Sequence, residues 1–282
     1  MDDALARRFE DERPRLHALA YRMLGSAAEA EDAVQEAWLR LVGTKSIGNL
    51  GGWLTTVVSR LCLDVLRARR ETPVEQVPDT VAGHAPEDEV VLAGEVGRAL
   101  LVVLDRLAPA ERVAFVLHDL FSVPFDDVGP ILDRTPATAK KLASRARLRV
   151  RGVPAVPEKE LAEHREVVAA FLAAARGGDM ATLLTVLAPD VVRHTDPALL
   201  PPGAAAVLRG ADEVARGTAL FAVRAQTAEI ALIDGDIGLV LAPAGRLVGV
   251  LKIRVEAGLL QAYEVIVAPE QLARIDIASP AV

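Results

Sequence analysis

With 282 residues, 51% of them hydrophobic and 25% charged, the chain is long enough for two or three domains, each with its own core. No apolar run approaches the roughly 18 residues a membrane span needs. The start Met1-Asp2-Asp3 is acidic where a secretory signal is basic and then apolar, and the lone Cys62, set between Leu61 and Leu63, excludes an internal disulfide, so the expected compartment is the cytoplasm. A net charge of -7 argues against nucleic acid only until it is divided along the chain. Residues 71–95 carry seven acids and no base, whereas residues 96–152 carry ten bases against six acids. Local positive charge is what steers a phosphate backbone.

Residues 1–70 read as three or four helices. Ser26-Ala27-Ala28-Glu29 has the form of a capping box, and the run after it puts Ala30, Val34, Ala37, Trp38 and Leu41 on one stripe. Gly43 through Gly52 reads as a polar break, followed by a long helix from about Trp53 to Arg70. Residues 71–95, with three prolines among the acids, read as a linker.

Over 96–152 the pattern is again helical, in short pieces: Val96–Leu107, Ala110–Leu120 with Pro109 suited to its first turn, Pro124–Leu132, and Pro136 to about Val150. The last two, joined by Asp133-Arg134-Thr135 with Thr135 placed to cap, form a helix-turn-helix arrangement, and the second helix is strongly basic. A short linker, 153–158, leads to 159–268. There two helices precede strand-like runs at Val191–His194, Phe221–Leu232, Ile237–Leu241, Leu247–Glu256 and Leu259–Val267. That order predicts an α+β domain with an antiparallel sheet. The tail, 269–282, is expected to be at most partly ordered.

Two blocks of residues carry a resemblance. Ala20-Tyr21-Arg22-Met23-Leu24-Gly25-Ser26, Glu31 through Leu39, Gly52-Trp53-Leu54-Thr55-Thr56-Val57-Val58 and Asp64-Val65-Leu66-Arg67 are similar to region two of extracytoplasmic-function sigma factors. Leu107-Ala108-Pro109-Ala110-Glu111-Arg112, Phe125-Asp126-Asp127-Val128 and Arg134 through Lys140 resemble region four of the same family. The C-terminal part resembles the cone-shaped SnoaL-like domain fused to one subgroup of them. The implied architecture is two all-α domains, the second with a helix-turn-helix, followed by an α+β cone with a curved antiparallel sheet.

The resemblance implies that Asp32, Gln35, Glu36 and Leu39 dock on the clamp of the polymerase's largest catalytic subunit, that region four meets the flap of the second-largest subunit, and that residues 45–53 meet the −10 promoter element. Lys45, Ser46 and Asn49 are then the polar readers and Trp53 a stacking surface, with Arg60, Arg67, Arg69 and Arg70 on phosphates. In the second unit Thr138, Lys141, Ser144 and Arg145 are assigned to the −35 groove, and Lys140, Arg147 and Arg149 to its phosphates. Asp190, His194, Asp196 and Tyr263 are the polar groups available to a C-terminal pocket, where a small ligand is one expectation. No cofactor is expected, and five scattered histidines with one cysteine give no metal-ligand spacing. An anti-sigma partner stays open. Two other readings compete: a helix-turn-helix regulator with a ligand-binding C-terminal domain, and a cone-fold isomerase or hydrolase with a DNA-binding appendage.

Overall fold

The computed structural model describes residues 3–44, 47–71, 93–94, 97–200, 203–219 and 221–279. The chain folds as two compact units. One combines the first three helices with Leu104–Arg149, and the other combines described residues 93–94 and 97–103 with those from Val150 onward. Among the described residues no helix is long and apolar enough to cross a membrane.

The helical unit opens with α1 (Asp3–Leu24), α2 (Ala27–Val42) and α3 (Leu50–Glu71). Ser26 caps α2, its hydroxyl accepting from the Glu29 amide at 3.4 Å. The carboxylate of Glu29 is taken by Arg69, which also donates to the Leu24 carbonyl at 3.0 Å, so the end of α3 is tied to the α1–α2 turn. Helix α3 begins three residues before the expected Trp53. Asn49 Oδ1 accepts from Gly52 N at 3.0 Å, and this cap offsets the poor helix propensity of Gly51 and Gly52. Leu16, Leu19, Met23, Leu54, Val58 and Leu63 are buried between these helices. Cys62 lies among them, and burial pushes its thiol up to about 12.

Next come α4 (Arg98–Asp105), α5 (Pro109–Phe115), α6 (Phe125–Ile131) and α7 (Pro136–Arg151). The helix expected over 110–120 changes character: residues 116–120 widen into a π turn, closed by Phe121 N on the Val116 carbonyl at 3.2 Å. Between α6 and α7 the turn is tight. Asp133 adopts a left-handed backbone (φ 55), and a Cβ on Gly129 would meet the Arg134 carbonyl at 2.9 Å. Thr135 caps α7, accepting from Thr138 N at 3.2 Å. Beneath these helices Arg112 is buried with a partner, Asp105 Oδ1, at 3.1 Å.

The second unit starts with α8 (Glu158–Gly177), ended by Gly178 at φ 65, and α9 (Met180–Val186), capped by Asp179. The sheet comprises β1 (Leu187–Thr195), β2 (Val207–Arg209), β3 (Ala228–Ile233), β4 (Asp236–Leu241), β5 (Gly249–Glu256), β6 (Leu259–Ile266) and β7 (Ile277–Ala278), in the spatial order β2-β1-β6-β5-β4-β3-β7. Helices α10 (Ala211–Ala219), α11 (Ala222–Ala225) and α12 (Pro269–Leu272) fill the connections. Phe171 and Leu172 of α8 pack on the inner face of the sheet, against Leu239, Leu251 and Tyr263.

Three expectations are corrected. The sheet is mixed: β1 pairs with β6 in parallel, because β1 leaves a helix pair rather than a hairpin and nothing local reverses its direction. The strand expected over 221–232 begins only at Ala228. Arg176 donates to the carbonyls of Ala225 and Ala228, at 3.0 and 2.6 Å, and holds the preceding residues as a helical turn. The tail contributes α12 and β7, the latter anchored where Asp276 N donates to Asp234 Oδ1 at 2.8 Å. Residues 97–103 make their closest contacts in the second unit, where the Arg98 amide donates to the Glu229 carboxylate at 2.5 Å.

Candidate polymerase and nucleic-acid interfaces

Helix α2 buries Ala30, Ala33, Val34, Ala37 and Leu41. The spacing of 3.6 residues per turn therefore turns Asp32, Gln35, Glu36 and Leu39 to the opposite side. Leu39 is 61% exposed and Val42 51%, beside Glu36, which is bonded to Arg40 at 2.8 Å. An apolar contact rimmed by acidic and polar groups is the composition of a protein-binding face.

Lys45 and Ser46 lie outside the described residues. Asn49 is exposed, with its side-chain oxygen spent on capping α3, and Trp53 is half-buried. Both line an open groove with Glu12, Arg15 and Thr56 on one side and Phe121, Val123, Pro124 and Asp127 on the other. The four arginines assigned to phosphates differ in their partners. Arg70 is exposed, Arg67 faces Asp64 at 3.8 Å, Arg60 donates to the Pro130 carbonyl at 2.9 Å, and Arg69 is held by Leu24 and Glu29 inside the unit.

Helix α7 buries Ala139, Ala143, Ala146 and Val150, and turns Lys140, Lys141, Ser144 and Arg145 outward. Thr138 is half-buried at its first turn, bonded to Thr135. Arg147, half-buried, and Arg149, exposed, differ from these in having ion-pair partners. Arg147 pairs with Asp119 at 2.6 Å, and Arg149 with the buried Glu111 at 2.8 Å, so both clamp α7 to the helix that precedes the helix-turn-helix.

Residues 8–72 match the family Sigma-70 region 2, and residues 97–150 match Sigma-70, region 4. The ECF RNA polymerase sigma factor SigJ of Mycobacterium tuberculosis is 41% identical over 249 residues, covering 82% of this chain and 78% of that protein. The chain belongs to the extracytoplasmic-function sigma factors. The probable ECF RNA polymerase sigma factor SigI of Mycobacterium tuberculosis is 38% identical over 267 residues, covering 90% of each. The crystal structure of Mycobacterium tuberculosis SigJ aligns over 95% of this chain and 98% of that one, with 34% identity and a TM-score of 0.47. As a sigma factor, the protein serves promoter-specific initiation of transcription by RNA polymerase.

In the second unit of this sigma factor a cavity of about 70 Å³ opens between α8, α10, α11 and the sheet. Of the four residues assigned to a pocket, only Tyr263 lines it. Asp190 and His194 are exposed. Asp196 turns away to accept from the amides of Ala198 and Ala268, at 3.0 and 3.1 Å, as a turn cap. The polar groups that do line the cavity include Arg193, Thr195 and Thr218. Strand parity is the reason: residues 193 and 195 share the inner face and 194 takes the outer one. The alternation was readable in Val191, Arg193 and Thr195, but an arginine on the buried face of a strand runs against expectation from composition.

Thr218 donates to the Val214 carbonyl at 2.8 Å and therefore accepts from Tyr263 at 2.7 Å. Burial raises the Tyr263 phenol above its ordinary range, while the charge of nearby Arg193 and the hydrogen bonds that the phenol shares with Thr218 and Arg193 act against that rise. Among the described residues, the lining holds no carboxylate and no imidazole.

Proposed function

We infer that the outer face of α2 docks on the clamp of the largest catalytic subunit, with Leu39 and Val42 as the apolar contact and Asp32, Gln35 and Glu36 as its orienting rim. The exposure of Leu39 on an otherwise polar stripe carries this assignment. Asn49 and Trp53 meet the −10 element, and region four meets the flap of the second-largest subunit. On α7, Lys141, Ser144 and Arg145 face the −35 groove and Lys140 a phosphate, with Thr138 at the helix entry. Arg147, Arg149 and Arg69 serve as internal braces. The protein works with the polymerase in the cytoplasm, and its C-terminal unit modulates initiation.

The test is binding of the full chain to purified core polymerase together with run-off transcription. Leu39→Asp is expected to weaken core binding at least tenfold while leaving the fold intact by circular dichroism. Lys141→Ala with Arg145→Ala is expected to spare core binding and abolish initiation that depends on the −35 element. Core binding by Leu39→Asp equal to that of the unsubstituted chain would sink the docking assignment.

A further inference from the structure

The cavity beneath Phe221 is built around a cation. Arg193 has 3% of its surface exposed, its Nε donates to Thr195 Oγ1 at 2.8 Å, and its guanidinium carbon lies 4.8 Å from the centroid of the Phe221 ring. Among the described residues its Nη1 is buried without a hydrogen-bond partner. Gly217 leaves that nitrogen room, since a Cβ there would stand 2.7 Å from it. Apart from Arg193, the one charged side chain in the lining is another cation, Arg224, whose guanidinium carbon is 5.2 Å from the same ring. The rest of the wall is mainly hydrocarbon, including Phe171, Leu239, Leu251 and Val265.

A buried cation without a counter-charge, and a buried donor without an acceptor, both cost free energy that a core optimised for stability alone would avoid. An arrangement of this kind is complete once an anion enters. The volume is several times the roughly 10–15 Å³ that a single water requires. Its apolar walls favour a ligand with one charge at one end. Thr195 accepts from Arg193 and keeps its own hydroxyl proton to donate, so Nη1 and Thr195 together match the two oxygens of a carboxylate. A phosphate would bring more oxygens, and up to two charges, into walls with few donors to meet them.

We propose that the C-terminal unit binds a small monocarboxylate with an apolar body, its carboxylate on Arg193 and Thr195 and its hydrocarbon against Phe171, Leu239 and Leu251. Binding involves no bond change. The site does not depend on the polymerase assignments above, because it is read by titration and they are read by transcription.

The experiment is isothermal titration of the full chain with benzoate and isovalerate, with benzamide and inorganic phosphate as controls. Saturable one-to-one binding of at least one acid is expected, with benzamide and phosphate at least tenfold weaker. Arg193→Met is expected to lose at least tenfold in affinity for that acid. The acid-against-amide comparison is made on the unsubstituted chain, so it decides the matter even if Arg193→Met does not fold. Equal affinity for benzoate and benzamide overturns the proposal, as do phosphate binding tighter than both acids or no saturable binding of either acid.

Discussion

Arg112 in the helical unit and Arg193 in the C-terminal unit are 2% and 3% exposed, and each lies within electrostatic reach of a buried acid-type group, Cys62 and Tyr263 respectively. What separates them is the counter-charge. Arg112 has Asp105 at 3.1 Å, whereas Arg193, in the cavity lining, has a hydroxyl and an aromatic face; among the described residues each keeps one buried nitrogen, Arg112 Nε and Arg193 Nη1, without a hydrogen-bond partner. A buried cation that reaches a carboxylate at the surface, as Arg112 reaches Asp105, has its charge met within the chain. One without it keeps the cost of burying its charge. The distinction lies in the partners, since burial and residue type are the same in both.

The sharpest way to break this comparison is to remove each cation in turn. Arg112→Ala deletes a large side chain packed close to Gly25 and is expected to cost about 3 kcal/mol in chemical denaturation of the helical unit. Arg193→Met, which replaces an uncompensated charge by hydrocarbon of similar length, is expected to have the opposite sign and to stabilise the ligand-free protein by about 1 kcal/mol. Destabilisation by Arg193→Met as large as that of Arg112→Ala would mean that Arg193 is structural as well.

Alkaline denaturation sharpens the same contrast from the side of Cys62. Its pKa is raised by burial from an ordinary 9.0 to about 12, so the folded chain keeps a proton that the unfolded chain loses. The stability this represents is fully present below pH 9 and is lost as pH rises toward 12, at up to about 1.4 kcal/mol per pH unit. Cys62→Ala is expected to remove this part of the slope, measured by denaturant titrations at pH 8 and pH 10. An unchanged slope would show that the thiol is not sealed by the fold.

The smallest effect concerns paired and unpaired cations on α7. Lys141→Ala is expected to reduce the salt dependence of promoter binding by about one unit of slope in log K against log salt. Arg149→Ala is expected to leave the slope unchanged and to cost about 1 kcal/mol of stability, because Glu111 loses its partner. A reduced slope in Arg149→Ala would return that residue to the DNA face.

The sequence by itself determined most of the helical unit, because the forces that shape it act within a few residues. Ser26 and Thr135 cap helices over three positions, Pro109 opens α5, and a repeat of 3.6 sorts α2 into a buried side and an outer one that carries Leu39. Two motif blocks in the right order were enough to indicate the family. The tertiary structure decided what depends on distant partners. Arg69, Arg147 and Arg149 read from the sequence as DNA contacts, and only the fold shows Glu29, Asp119 and Glu111 meeting them across 40, 28 and 38 residues. The parallel β1–β6 pair and the edge strand β7 likewise depend on closures that local pattern does not encode. The cavity shows it most plainly. The resemblance pointed to Asp190, His194, Asp196 and Tyr263, but the parity of β1 turned Arg193 and Thr195 inward, and the packing of α8, α10 and α11 over them left Tyr263 alone of the four in the lining.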